Sequence, residues 1–225
     1  MMWVFDNFDR VLHLLLMHLQ LVVPAIVATL LISVSVAYGV TKLPRIREWV
    51  LTASGLLYSI PSLPLLIVLP LILGIPLRSN LNVQVALTIY GCSLLIRAAA
   101  DAFDQVDSKV LQASLACGMS PLQCFWKVHL PLAGPAILAG LRVVAVSTIA
   151  LTTIGALLGI SSLGSLFTDG LMRSIVAEVI TGIVATVLLA VSVDFLLVLL
   201  GRLVMPFQKV MRSKQKQNAK LVMQV

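Results

Sequence analysis

Five apolar runs of about twenty residues or more constrain this chain more than any other property, because a helix of that length crosses the roughly 30 Å hydrocarbon core of a bilayer. They cover residues 19–40, 50–73, 81–100, 132–160 and 175–205. Composition excludes the alternative of soluble packing: 60% of the 225 residues are apolar, 11% are charged, and the mean hydropathy is +1.06. The expected fold is an all-α integral membrane protein with about five transmembrane helices in a spanning domain over residues 19–205. Residues 1–18, where Asp6, Asp9 and Arg10 precede a Leu-rich stretch holding His13 and His18, are expected to form an interfacial amphipathic segment. Residues 206–225 form a basic tail.

The distribution of basic residues sets the expected orientation. With five spans, every Lys and Arg except Arg10, Arg78, Arg142 and Arg173 falls on one side. The positive-inside rule then places the N-terminus outside and the C-terminus in the cytoplasm. A net charge of +7 needs no nucleic-acid partner, since the excess lies in loops and a tail that can face anionic lipid. Cys92, Cys117 and Cys124 form no metal-like pair, and no metal site is expected. No nucleophile–base triad or paired carboxylates can be recognised, so no enzyme activity and no cofactor are assigned to the chain. Asp101, Asp104 and Asp107 read as a solvated acidic face.

Between the third and fourth runs lies a polar-studded stretch, residues 104–131. Val110, Leu111, Ser114, Leu115 and Cys117 recur near helical spacing, and Gly118 is the residue type that ends a helix in the left-handed region. Ser120, Pro121 and Gln123 then read as an N-cap, a first-position proline and the third-position partner of a capping box. A second short helix comes next, and Leu130-Pro131 marks the return into the membrane. The expectation is a compact helical knob.

The spacing of Gln112, Ala113, Ser114, Gly118, Val128, Leu130 and Pro131 resembles the EAA loop of binding-protein-dependent ABC importer permeases. Gln112 stands where that family has an acid, and Ser114 replaces its second alanine. The stretches Tyr58 to Leu63, Leu73 to Ile75, Tyr90 to Arg97, Lys127 to Pro131 and Ala139 to Arg142 are similar to permeases for glycine betaine, carnitine and choline. Gly159 to Gly164 is a degraded form of a glycine-rich run in the same family. The resemblance implies a type I importer permease in a prokaryotic plasma (inner) membrane. It also implies three partners: a separate subunit that binds ATP and Mg, a second permease chain, identical or homologous, and an extracytoplasmic substrate-binding protein. The cargo it implies is a small osmoprotectant such as glycine betaine, choline or carnitine. A methionine or other small-solute importer shares the same plan. The chain itself has no phosphate-binding glycine-lysine motif, so ATP belongs to the partner.

Within the spans, Pro61 and Pro64 fall mid-way along the second run, where each is expected to bend the helix and free carbonyls; the stretch with Ser59, Pro61 and Ser62 is expected to line a translocation pathway, the alternative being a static kink satisfied by Ser59 or Ser62. Thr148 and Thr152 either face a translocation pathway or bond to their own helix. Gly155 and Gly159, four apart, suit close helix contact. Arg142 lies too deep to be free in lipid; it either pairs with Asp194 on the last span or snorkels to the interface. An ion-driven carrier is the rival class, and its candidate ionisable groups are Arg142, Glu178 and Asp194. Trp3, Trp49 and Trp126 sit near span ends and form no visible aromatic cage for a quaternary ammonium group, so selection is expected in the binding protein.

Overall fold

A computed structural model describes residue 3 and residues 6–205, and every element within that range is helical. The basic tail 206–225 and most of residues 1–5 lie outside the described residues. Helix α1 (Phe8–Thr41) runs unbroken through residue 18, where a change from interfacial to spanning helix is expected. The reason is a continuous stripe: Leu14, His18, Leu21, Val22 and Ala25 are all buried against the other helices. Its 34 residues extend about 51 Å.

The second apolar run forms two helices, α2 (Pro44–Tyr58) and α3 (Ser62–Leu73), which meet at 111°. Only one of the two prolines makes the break. Pro61 takes an extended conformation (φ −61°, ψ 139°) ahead of α3, whereas Pro64 sits in the first turn of α3, where its missing N–H has no intrahelical partner to lose.

Despite the bend, α2 and α3 together traverse the bundle as one broken span. Contacts to α4 (Asn80–Asp104) descend in order: Arg47 pairs with Asp104, Arg97 Nη2 donates to the Leu51 carbonyl (3.1 Å), Tyr90 Oη to Ile60, and Asn82 Nδ2 to Leu66 (3.0 Å). From Asp104 to Asn82 is about 33 Å of helix, the thickness of a hydrocarbon core. Among the described residues, four helices or segments are long and apolar enough to cross alone, and the broken pair makes the fifth.

Helix α4 occupies the centre, lying against α1, α2 and α7 (Leu130–Thr152). Close approach to α1 depends on Gly91, where a Cβ would overlap the Thr29 side chain. At one end of the bundle Phe103, Ala99, Ala37, Phe125 and Ile137 form a core, and at the other Leu21, Leu66, Leu69, Val83 and Ile160 form a second. Helix α5 (Ser108–Ala116) and α6 (Pro121–Cys124) cap the first end.

Beyond α7 the helix tightens into a 3₁₀ turn over Thr153–Leu158, which closes the fourth span. Gly155, buried in that turn, faces Val83 of α4, while Gly159 (φ 79°) stops the turn in the left-handed region beside Arg78. A short helix, α8 (Ser165–Met172), then leads into α9 (Val176–Val204). Ile180, Ile183, Val187, Val191 and Leu203 on α9 are half exposed or more, as befits a helix facing lipid or another chain.

Candidate functional site

The knob is built by two different terminations. Asp107 caps α5 through a 2.8 Å bond from Lys109 N, so this exposed aspartate also forms the helix start. At the other end Gly118 has φ +85°; its N–H donates to Leu115 O (2.9 Å) and Met119 N to Ser114 O (3.3 Å), a Schellman closure. The restart uses the reciprocal capping box, with Gln123 N on Ser120 Oγ (3.3 Å) and Ser120 N on Gln123 Oε1 (3.1 Å). Pro121 occupies the first helical turn.

The chain beyond α6 does not make a separate helix. Residues Phe125–His129 form a π turn in which Leu130 N donates to Phe125 O, and α7 continues directly from it. Pro131 explains the widening: it has no N–H, and its ring would press on the carbonyl of Lys127 in a regular α-helix. Pro121 to Leu158 is therefore one 38-residue helical rod. Val128, Leu130 and Pro131 sit at its swollen joint, half-buried, while Gln112, Ala113, Gly118, Ser120 and Pro121 are exposed and Ser114 is half-buried.

The joint is seated on aromatic side chains. Tyr38 and Phe125 centroids are 4.1 Å apart, Phe103 and His129 4.9 Å, and His129 Nε2 donates to Phe103 O at 3.1 Å. Outward, the knob presents Val110, Leu115, Leu122 and Trp126, each 42–68% exposed, around the uncharged Gln112. Apolar area of that kind on a short projecting element fits a protein partner better than water.

The α2–α3 break borders an open cavity of about 440 Å³ on the side of the bundle, with Tyr58, Ser59, Ile60 and Pro61 exposed along it. Ser59, Pro61 and Ser62 line it, with Ser147 from α7 opposite. Thr148 and Thr152 do not: both are buried in the helical core, and Thr152 Oγ1 donates to Thr148 O (2.7 Å). The carbonyl freed at Ile60 is taken by Tyr90 Oη, not by a serine.

Arg142 and Asp194 meet in a bidentate pair joining α7 to α9 (2.6 and 2.7 Å). Two charge contacts had no sequence signal beyond residue type. Arg47 holds Asp104, with Asp101 3.9 Å away, pinning α2 to α4 and giving two of the three expected solvated acids a partner. Arg10 reaches Asp169 of α8 (2.5 Å) and the fully buried Glu178 of α9 (2.8 Å). The second is a Coulombic contact without hydrogen-bond alignment, because both Glu178 oxygens remain without a hydrogen bond among the described residues.

Residues 29–206 match the family model described as binding-protein-dependent transport system inner membrane component. A fused ergothioneine transport permease/ergothioneine binding protein of Helicobacter pylori is 32% identical over 150 residues, 67% of this chain and 27% of that longer protein, so the chain spans about a quarter of it. The choline transport system permease protein of Bacillus subtilis is 30% identical over 208 residues, covering 92% of this chain and 88% of the relative. The glycine betaine/carnitine/choline transport system permease protein of the same organism is 28% identical, with 91% and 88% covered. In fold, the chain superposes on the inward facing MetNI methionine ABC transporter with a TM-score of 0.76 at 20% identity, over 88% of this chain and 98% of that one. With the family model spanning the C-terminal part of α1, every later crossing and the whole knob, this chain belongs to the inner membrane components of binding-protein-dependent ABC transport systems.

Proposed function

We propose that this chain is the translocation subunit of an ATP-driven importer for a small osmoprotectant of the glycine betaine, choline or carnitine kind. The observation that carries the reading is the continuity of the knob with α7. A force applied at Pro121–Cys124 moves one rod through the π joint into the helix that borders the cavity at the α2–α3 break. A nucleotide-binding subunit would grip the exposed apolar knob, and its closure on ATP and Mg would swing the rods of two permease chains together. In this reading the knob, α9's end at Val204 and the tail 206–225 face the cytoplasm, the N-terminus faces outward, and an extracytoplasmic binding protein delivers the solute. ATP shifts the access equilibrium only through its differential grip on the two arrangements.

The relatives' names support the substrate class, and their breadth, with ergothioneine among them, keeps the class at small solutes bearing a quaternary ammonium group. An ion-driven carrier fits less well. Its candidate ionisable groups are already engaged within the chain: Arg142 with Asp194, and Glu178 with Arg10. Purification from native membranes in mild detergent tests the proposal; a nucleotide-binding subunit and a binding protein should co-purify in fixed ratio, and their absence would refute it.

A further inference from the structure

The cavity at the α2–α3 break brings together side chains that lie far apart in the sequence. Tyr58 from the end of α2 and Tyr90 from the middle of α4, thirty-two positions apart, stand edge to face there, with centroids 6.3 Å apart and planes at 84°. Tyr90 is 5% exposed and its hydroxyl is spent on Ile60 O, which fixes its ring; Tyr58 is 51% exposed beside it. Two perpendicular rings make an aromatic corner.

The hydroxyls around that corner are not engaged within the chain, whereas several others in the bundle are. Ser35, Ser54, Ser93, Thr152, Thr181 and Ser192 all spend their hydroxyls on carbonyls of their own helices. Ser59, Ser62 and Ser147 do not; their hydroxyls have no hydrogen-bond partner among the described residues, and all three border the cavity. None of the residues lining it is charged. A volume of about 440 Å³ lies within the range of small-molecule sites.

An uncharged site with an aromatic corner and free hydroxyls suits one kind of solute. Aromatic faces attract a diffuse, weakly hydrated cation through the ring quadrupole. Serine hydroxyls can donate to a carboxylate or hydroxyl at the other end of the same small molecule. A compact ammonium or carboxylate alone would lack the counter-charge that its desolvation demands. We infer that the cavity at the α2–α3 break is a transit site for a quaternary ammonium solute, its cationic head against Tyr58 and Tyr90 and its polar tail toward Ser59, Ser62 and Ser147. This rests on the importer reading and adds selectivity within the membrane to whatever the binding protein supplies. The site is weak by construction, since a pathway that held its cargo tightly would not release it.

The test is uptake of radiolabelled glycine betaine and choline into vesicles containing the complete complex, comparing wild type with Tyr58→Phe, Tyr58→Trp and Tyr58→Leu. Co-purification of the other subunits checks assembly of each variant. The phenylalanine and tryptophan variants should stay within about twofold of wild type, and the leucine variant should fall about tenfold. Leucine equal to wild type would overturn the site, as would an equal loss in all three variants, because neither depends on the π face. Ser59→Ala combined with Ser62→Ala gives a second reading: loss of uptake by about threefold or more supports the polar end, and no change removes it. Wild-type vesicles that take up neither solute would sink the osmoprotectant reading itself, a result distinct from any ranking of the variants.

Discussion

Arg142 Nε lies 2.6 Å from Asp194 Oδ1 while its Nη2 lies 2.7 Å from Oδ2, a parallel fork that fastens α9 to the rod carrying the knob. Helix α9 otherwise has few buried anchors, with Leu189, Gly182, Gly201 and Glu178 the only buried positions along it among the described residues. Replacing either partner alone leaves a charge without its mate in or beside lipid. Arg142→Asp or Asp194→Arg is expected to cut the amount of folded protein in the membrane several-fold, and the double exchange to restore at least half of it. Quantitative immunoblotting of membranes checks this; no rescue would show that the fork is incidental.

Gly118 has open space around a would-be Cβ, so its requirement is conformational and not steric. A β-branched residue at φ +85° costs roughly 1–2 kcal/mol, against much less for asparagine. Gly118→Val is expected to loosen the Schellman closure and raise the ATP hydrolysed per solute transported several-fold, with membrane insertion unchanged. Gly118→Asn should stay near wild type. The ratio of phosphate release to uptake in reconstituted vesicles is the measurement.

Gly164 has the opposite character. A Cβ there would overlap the carbonyl oxygen and Cα of Thr153, backbone atoms that cannot swing aside. Gly164→Ala should destabilise by roughly 1–3 kcal/mol through a shift of α8 against the 3₁₀ turn. Gly55→Ala, at a helical position with nothing within 4 Å, should be neutral or slightly stabilising. Thermal unfolding of the two variants in detergent separates the cases.

Asn82 is fully buried and clamps two carbonyls, Leu66 O at 3.0 Å and Leu77 O at 3.1 Å, across the turn between α3 and α4. Asn82→Leu keeps the branched shape and removes the donors, so both carbonyls lose a partner away from water. The expected cost is about 2–4 kcal/mol, from roughly 1–3 kcal/mol per orphaned group with partial relaxation. Protease sensitivity of the 74–79 turn should rise along with the loss in melting temperature.

Much of this arrangement is legible in the chain. The apolar run 175–205 becomes the helix Val176–Val204, because apolar side chains continue along the whole of it with no proline to interrupt them. Gly118, Ser120 and Gln123 announce the knob's turns since caps are local chemistry. The break after Tyr58 is harder: Pro61 and Pro64 look alike in sequence, and only the start of α3 tells which one breaks a helix and which one begins it. Helix α8 leaves little trace, because eight residues with two buried positions, Leu166 and Gly170, give little periodicity. The Tyr58–Tyr90 corner and the Arg10–Glu178 contact depend on how distant segments meet, and no spacing rule carries that.

ATP dependence of solute uptake decides between the importer and its rival class. Vesicles containing the complex, its binding protein and labelled glycine betaine or choline should accumulate solute only with ATP and Mg inside the compartment facing the knob, and collapse of ion gradients should leave uptake intact. Accumulation that persists without ATP while an ion gradient is held would overturn the importer assignment and make the chain a secondary carrier.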